Sequence, residues 1–529
     1  MLRIPIPLSV VVALCITHVA AAQTAVDPDS ALQVILSGLT GTRIRVPSAV
    51  QYAWKNATSV RIAEASYLAA GGSERKEAGQ FDPSFFFSLN YLDQKLPTAS
   101  FFSGAPVLAN QQTTSRTGLR MSLPVGTQLE LGLNTVKLTT NSTFAFLNPE
   151  YDAFGSLSLR QPLLGGFAAS ARKQLTKSEN DLDAAKARYD QAMIAVRADV
   201  ELAYWDLYAA ERDFAVQMLT RDRGKEFLRE TELRSRTGLV GPNQVANAKT
   251  FLAEQELQLL DREEQLDRQS DQLASLIGVR PENGTTRFLT ASDPGKSYHF
   301  DSLDVLVDRA IKNNLDLQAA QHDAEAARAL ANAAGWEALP SVDFVGTLGG
   351  SGLAGTNQLV IFNADTLSIP ANGSFGNAVS QVAKRQFPNW SVGVEVNIPI
   401  GFRSGLGEKD RLEANVLSAE QRYVELSRTL ADQVRSTYRE LQHGKERLQA
   451  ALDGVDAAQE QVRIGLIEFQ NGRLTAFELV RLGEDFAVAQ QRYSSALIRT
   501  AKAAATLKQL TSEEIGTQSD NQPSIDPEK

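Results

Sequence analysis

Protein chemistry usually runs through histidine, cysteine or paired acids, and this chain places those residues sparsely. Its four histidines are His18, His299, His322 and His443, and no two form the His-x-x-x-His pair that sets two metal ligands on one helix face. The single cysteine, Cys15, falls in the N-terminal apolar stretch described below. Without that stretch the chain has no thiol for a disulfide, a zinc site or a nucleophile. Neither a Gly-rich phosphate loop nor a Gly-x-Ser-x-Gly elbow occurs. These residues support no catalytic, cofactor-binding or metal site, and the chain reads as a non-enzyme.

The residues that do recur are those that turn a backbone. Pro83, Pro162, Pro340 and Pro399 each stand where a strand-like segment meets a helix-like one, and a proline lacks the amide donor either regime would use. Gly238 and Gly472 each follow a long helical stretch, where glycine lets the chain reverse. Such pairs belong to a duplicated unit. Ala53-Trp54-Lys55-Asn56 aligns with Ala310-Ile311-Lys312-Asn313, Pro83-Ser84-Phe85 with Pro340-Ser341-Val342, and Gly238-Leu239 with Gly472-Arg473. Gln161-Pro162 meets Ile398-Pro399, and Tyr204 meets Tyr438. A period of about 240 residues is too long for a solenoid and marks a duplicated domain.

Periodicity assigns the elements. Phe85, Phe87, Leu89 and Tyr91 alternate with polar residues, as do Trp390, Val392, Val394 and Val396, and strict alternation marks half-apolar strands. The first repeat, 47–280, is expected to hold a helix, strands at 83–92 and 153–161, a long helix at 168–236 and a shorter one at 243–277. The second, 301–512, holds a helix, strands at 341–348 and 389–397, a long helix at 405–470 and a shorter one at 476–510. Segments 95–115 and 349–387, rich in Gly, Ser, Asn and Thr, read as long loops between paired strands. Segments 117–123 and 128–136 are a candidate extra hairpin. Each long helix, at 1.5 Å per residue, measures about 100 Å. On the first, Leu182, Tyr189, Val196, Ala203 and Ala210 keep a heptad spacing, a stripe narrow enough to require neighbouring helices.

Residues 1–22 read as a secretory signal: Arg3, an apolar run from Leu8 to Val19, then Ala20-Ala21-Ala22. Residues 23–46 form a lead-in, 281–300 a linker and 513–529 a disordered polar tail. A formal charge of −9 argues against nucleic acid as a partner. No interior run approaches the 18 or so apolar residues of a membrane helix, so any membrane span must be a β-barrel with apolar exterior and polar interior. Four strands, or six with the extra hairpin, fall short of the eight or so that enclose a small barrel, and open edges are not tolerated in lipid. Several chains must then share one barrel. The competing reading is a periplasmic or surface coiled-coil scaffold or adhesin whose strands form a soluble cap.

The chain resembles the TolC-like outer-membrane factors over residues 47–512. The likeness is carried by Gln161-Pro162-Leu163-Leu164-Gly165-Gly166-Phe167, Leu339-Pro340-Ser341, Thr237-Gly238-Leu239-Val240 and the Phe469-x-x-Gly472-x-x-Thr475 spacing. The resemblance implies a mixed α and β membrane protein: a homotrimer whose shared 12-stranded barrel in the outer membrane continues into an antiparallel α-helical tunnel across the periplasm. It implies the exit duct of a tripartite efflux or type I secretion system, with a periplasmic adaptor and an inner-membrane transporter as partners. It also assigns adaptor docking to the two hairpin tips, at Gly238, Leu239, Val240, Gly472, Arg473 and Leu474. A periplasmic gate is implied near Phe469, Glu478 and Arg481. Here the sequence departs from the family: Phe469 replaces a usual tyrosine and Arg481 stands at an expected acidic position. Three copies of Glu478 near an axis would form a cation-favouring ring, which Arg481 at i+3 would partly neutralise.

Overall fold

A computed structural model describes residues 30–100, 103–281, 286–295, 298–362, 365–367, 369 and 371–512. The signal, residues 23–29 of the lead-in and the 513–529 tail lie outside the described residues. In chain order the first half runs α1 (Ser30–Gly38), β1 (Thr42–Ile44), α2 (Val46–Asn56), α3 (Thr58–Ala78), β2 (Ser84–Pro97), β3 (Val107–Ser122), β4 (Gln128–Thr140), β5 (Leu147–Leu164), α4 (Ala169–Arg236) and α5 (Pro242–Ile277). The second runs β6 (Phe288–Thr290), α6 (Leu303–Asn313), α7 (Leu315–Glu337), β7 (Ser341–Asn357), β8 (Val360–Phe362), β9 (Asp365–Leu367), α8 (Phe375–Ala383), β10 (Phe387–Asn397), α9 (Arg403–Gln470) and α10 (Ala476–Leu510). The halves match element for element where it matters: α4 and α9 have 68 residues each, and α5 and α10 have 36 and 35. No described helix is long and apolar enough to cross a membrane.

The chain divides into two units. One contains residues 50–199 and 299–439 with 504–512, and its centre is an antiparallel sheet ordered β10-β7-β5-β4-β3-β2. Two stretches expected as loops are thus largely ordered elements: β2 continues to Pro97, β3 begins at Val107, β7 runs to Asn357, and the β8–β9 hairpin and α8 follow. The other strand bounds are also longer than expected, β5 starting at Leu147 and β10 at Phe387. The alternation in β3 was hidden because Thr113, Ser115 and Thr117 occupy positions that carry large apolar residues on β2; threonine still favours a pleated strand. On β5 and β7 a short helix replaces bulky side chains. A Cβ on Gly352 would come within 2.0 Å of the Ala378 carbonyl oxygen of α8, so only glycine permits that approach, and Ala378 packs between Ala153 and Ala354.

The helices of this unit meet through small residues, with Ala184 and Ala187 of α4 against Ala319 of α7. Tyr189 stacks on Tyr67 of α3 at 6.1 Å between ring centroids. Ion pairs Lys173–Glu337 and Arg188–Asp323 link α4 to α7, and Arg328–Glu420 links α7 to α9. Such partly exposed pairs each contribute about 0–1 kcal/mol and mainly set register.

The second unit contains residues 200–298 and 440–503 with the described residues of 30–49. Its two-stranded parallel sheet, β1 with β6, is pinned to α4 by buried polar groups. The Tyr204 hydroxyl donates to the Ile44 carbonyl at 3.1 Å and accepts from the Ala291 and Ser292 amides. Glu211 accepts from the Thr290 amide and from its hydroxyl at 2.9 Å. Burial pushes the Glu211 carboxyl up to about 7, against the pull of the two Thr290 donors and Arg43. Tyr208 is likewise pushed up by burial, to about 12.

Candidate functional site

The sheet has two chemically opposite faces, and the register shows it strand by strand. One row crosses all six strands as Phe85, Leu119, Leu131, Leu157, Leu348 and Trp390. All six side chains are exposed in the single chain, from 45% to 70%. The adjoining row, pointing the other way, is Ser84, Arg120, Glu130, Ser158, Thr347 and Ser391. On that face Arg120 pairs with Glu130 at 2.8 Å, and Arg160 reaches Asp343 at 2.5 Å and Glu395 at 3.3 Å. An apolar row across all six strands on one side and a polar, ion-paired row on the other is the pattern of a strand set with lipid outside and water within.

The junction prolines fall at the ends of these strands. Pro83 precedes β2, Pro340 precedes β7, and Pro399 lies between β10 and α9. Pro162 differs from expectation: it lies inside β5, at a register shift between Pro162 and Leu164. A bulge is where a residue without an amide proton can sit in a strand. Gly165 and Gly401, just beyond Pro162 and Pro399, adopt φ of 71° and 92°.

In the other unit the helix turns 236–242 and 470–476 share one geometry. The Leu239 amide bonds to the Arg234 carbonyl at 2.9 Å and the Gly238 amide to Ser235 at 3.0 Å; Arg473 to Glu468 and Gly472 to Phe469 repeat both distances. This is the Schellman closure, with Gly238 at φ 76° and Gly472 at φ 71° in the left-handed region. Leu239 is 76% exposed, and Phe477, one residue into α10, is 71% exposed. Val240 and Leu474 are half-buried, and Arg473 is exposed.

Phe469 is buried, and the Arg234 guanidinium lies 4.1 Å from its ring centroid. The ring thus serves a cation, a role that a missing hydroxyl does not impair. Sequence reasoning missed Arg234, because the repeat aligns the ends of α4 and α9 without showing that their side chains touch. Glu478 is engaged within its own helix start: its carboxylate accepts from the Thr475 amide at 2.9 Å and the Thr475 hydroxyl at 2.8 Å. The Thr475 hydroxyl in turn accepts from the Glu478 amide, a capping box. These Thr475 donors, and more weakly the charge of Arg481, hold the Glu478 carboxyl below its ordinary range. Thr475–Glu478 is a motif visible in the sequence that was not singled out there.

The described histidines do not converge. His322 lies beside Glu325 and His443 beside Glu446, each on one helix face. Glu440, which precedes His443 by one turn, is engaged by Arg499.

A family model for outer membrane efflux proteins matches residues 127–279 and 306–513. The chain belongs to the outer membrane efflux protein family. Membership makes it an outer-membrane protein of the channel type, with a helical part in the periplasm. Among solved structures, this efflux-family chain is similar to the outer-membrane channel OprN, at 17% identity and a TM-score of 0.62, covering 88% of this chain and 89% of that one. It is similar to VceC from Vibrio cholerae at 16% identity and 0.60, covering 88% and 95%. The open state of the MtrE channel of Neisseria gonorrhoeae matches at 15% and 0.60, covering 88% of each. At these identities the likeness is one of fold. No curated protein matches the chain.

Proposed function

We propose that the chain is the outer-membrane exit duct of a tripartite efflux or type I secretion assembly, a passive conduit closed by three copies. The carrying observation is the six-residue apolar row opposite an all-polar row, on a sheet with two unpaired edges. Lipid does not tolerate an open edge, so the sheet needs further copies of itself. The polar face then lines water, and cargo passes along it without any energy-supplying site in this chain.

The turns at Gly238–Val240 and Gly472–Leu474 are the proposed contacts for a periplasmic adaptor. Exposed Leu239 and Phe477, beside basic Arg473, give a partner both an apolar anchor and a charge to read. Phe469, Glu478 and Arg481 form the proposed constriction, with Arg234 added to it. Purified protein in planar bilayers tests the function directly. Stepwise, ohmic single-channel currents are expected. Protein that leaves the membrane fraction on alkaline wash and carries no current would instead identify a scaffold.

A further inference from the structure

We infer that each subunit gives the barrel six strands, so that a trimer closes an 18-stranded barrel rather than the 12-stranded one the resemblance implies. The inference rests on the exit-duct reading and deepens it.

A barrel with four strands per subunit would need β2 beside β5 and the β3–β4 hairpin outside the wall. The β5 edges are both taken. One pairs with β4 from Gln128↔Arg160 to Leu138↔Glu150, and the other pairs with β7. The hairpin itself is paired without a bulge, from Ser84↔Arg120 to Pro97↔Val107 on β2 and from Ser122↔Gln128 to Asn110↔Thr140 within itself. It therefore has no hinge about which to leave the sheet.

Chemistry agrees with hydrogen bonding. Leu119 and Leu131 continue the apolar row between Phe85 and Leu157, and Arg120 and Glu130 continue the polar row between Ser84 and Ser158. A hairpin outside the wall would have no reason to keep both alternations in phase with its neighbours. The apolar band also runs obliquely. On β2 it extends from the shared row away from the helix-junction end, to Phe87, Leu89 and Tyr91. On β10 it extends toward that end, to Val392, Val394 and Val396. Tilted strands of a closed barrel require such a drift, and the two edge strands β2 and β10 show it in opposite senses.

The two free edges are β2 and β10. β2 leaves its helix and β10 returns to one, so β10 of one copy meets β2 of the next antiparallel, and the occupant of each edge is a second copy of this chain. Three copies give an even, fully antiparallel ring. Because barrel diameter grows roughly linearly with strand number, the wall is about 1.5 times as wide as with 12 strands, in the range that leaves an aqueous channel.

Electron cryomicroscopy of the full chain in lipid nanodiscs counts the strands. Eighteen strands around a three-fold axis are expected. A three-fold barrel of 12 with residues 107–140 outside the wall would overturn this inference and leave the exit duct standing; a particle without a barrel would remove both. Spin labels give a second readout, placed singly at Leu119→Cys, Leu131→Cys, Phe85→Cys and Trp390→Cys with Cys15→Ser. In liposomes all four should favour oxygen over a water-soluble nickel chelate to a similar degree. Preference for the chelate at Leu119→Cys and Leu131→Cys alone would contradict a lipid-facing hairpin.

Discussion

One left-handed glycine sets each long helix reversal. A Cβ on Gly238 or Gly472 would meet nothing within 4 Å, so the need for glycine is conformational and not a matter of space. Gly238→Ala should therefore cost about 1 kcal/mol, the penalty of the left-handed region for an alanine, and no more. Faster amide exchange at Leu239 without loss of the fold is the readout. Glu478 can be separated into cap and charge. Glu478→Gln keeps the capping acceptor and removes the charge, whereas Glu478→Ala with Arg481→Ala removes both. If the site is a constriction, the double variant raises single-channel conductance and the glutamine variant lowers cation preference; unchanged currents in both would leave only the cap. Glu211 provides a pH test. Its carboxyl ionises less readily folded than free, so it stabilises the fold fully below its ordinary 4.5 and loses that stabilisation as pH rises through about 7. The loss is about 3 kcal/mol. Melting of the second unit should fall from pH 5 to pH 8 in the wild type and vary less in Glu211→Gln.

At the level of elements, the sheet separates two environments residue by residue. Leu131→Arg places a charge on the apolar face and should cost about 2–4 kcal/mol in vesicles, while Thr347→Arg, on the polar face, should cost little; urea unfolding in lipid measures both. Equal costs would mean that the faces do not differ in solvent. The strands whose outward positions are aromatic or β-branched, β2 and β10, were legible from alternation, and so were the 68-residue helices from composition and their glycine ends. β3 and β4 were legible in part, as the candidate hairpin of 117–123 with 128–136. The 107–116 stretch of β3 was not, because Thr113 and Ser115 look alike in a loop and in a strand, and pairing with Ser84–Pro97 reveals their phase. The contact of Arg234 with Phe469 was illegible for a related reason: it joins positions over 200 residues apart that only the two helices bring together.

For the molecule as a whole, the sheet is shared by both halves of the chain and left with two free edges. Each half brings a long helix, a shorter one and strands that leave an edge, and the two halves share one sheet without closing it. On the proposed reading, closure comes from three copies of the chain. The mass of the folded protein in mild detergent, with its β-sheet signal followed on heating, tests this most directly. Three chains per particle are predicted, dissociating on heating with concerted loss of sheet signal. A solitary chain that keeps its full sheet signal would contradict the account.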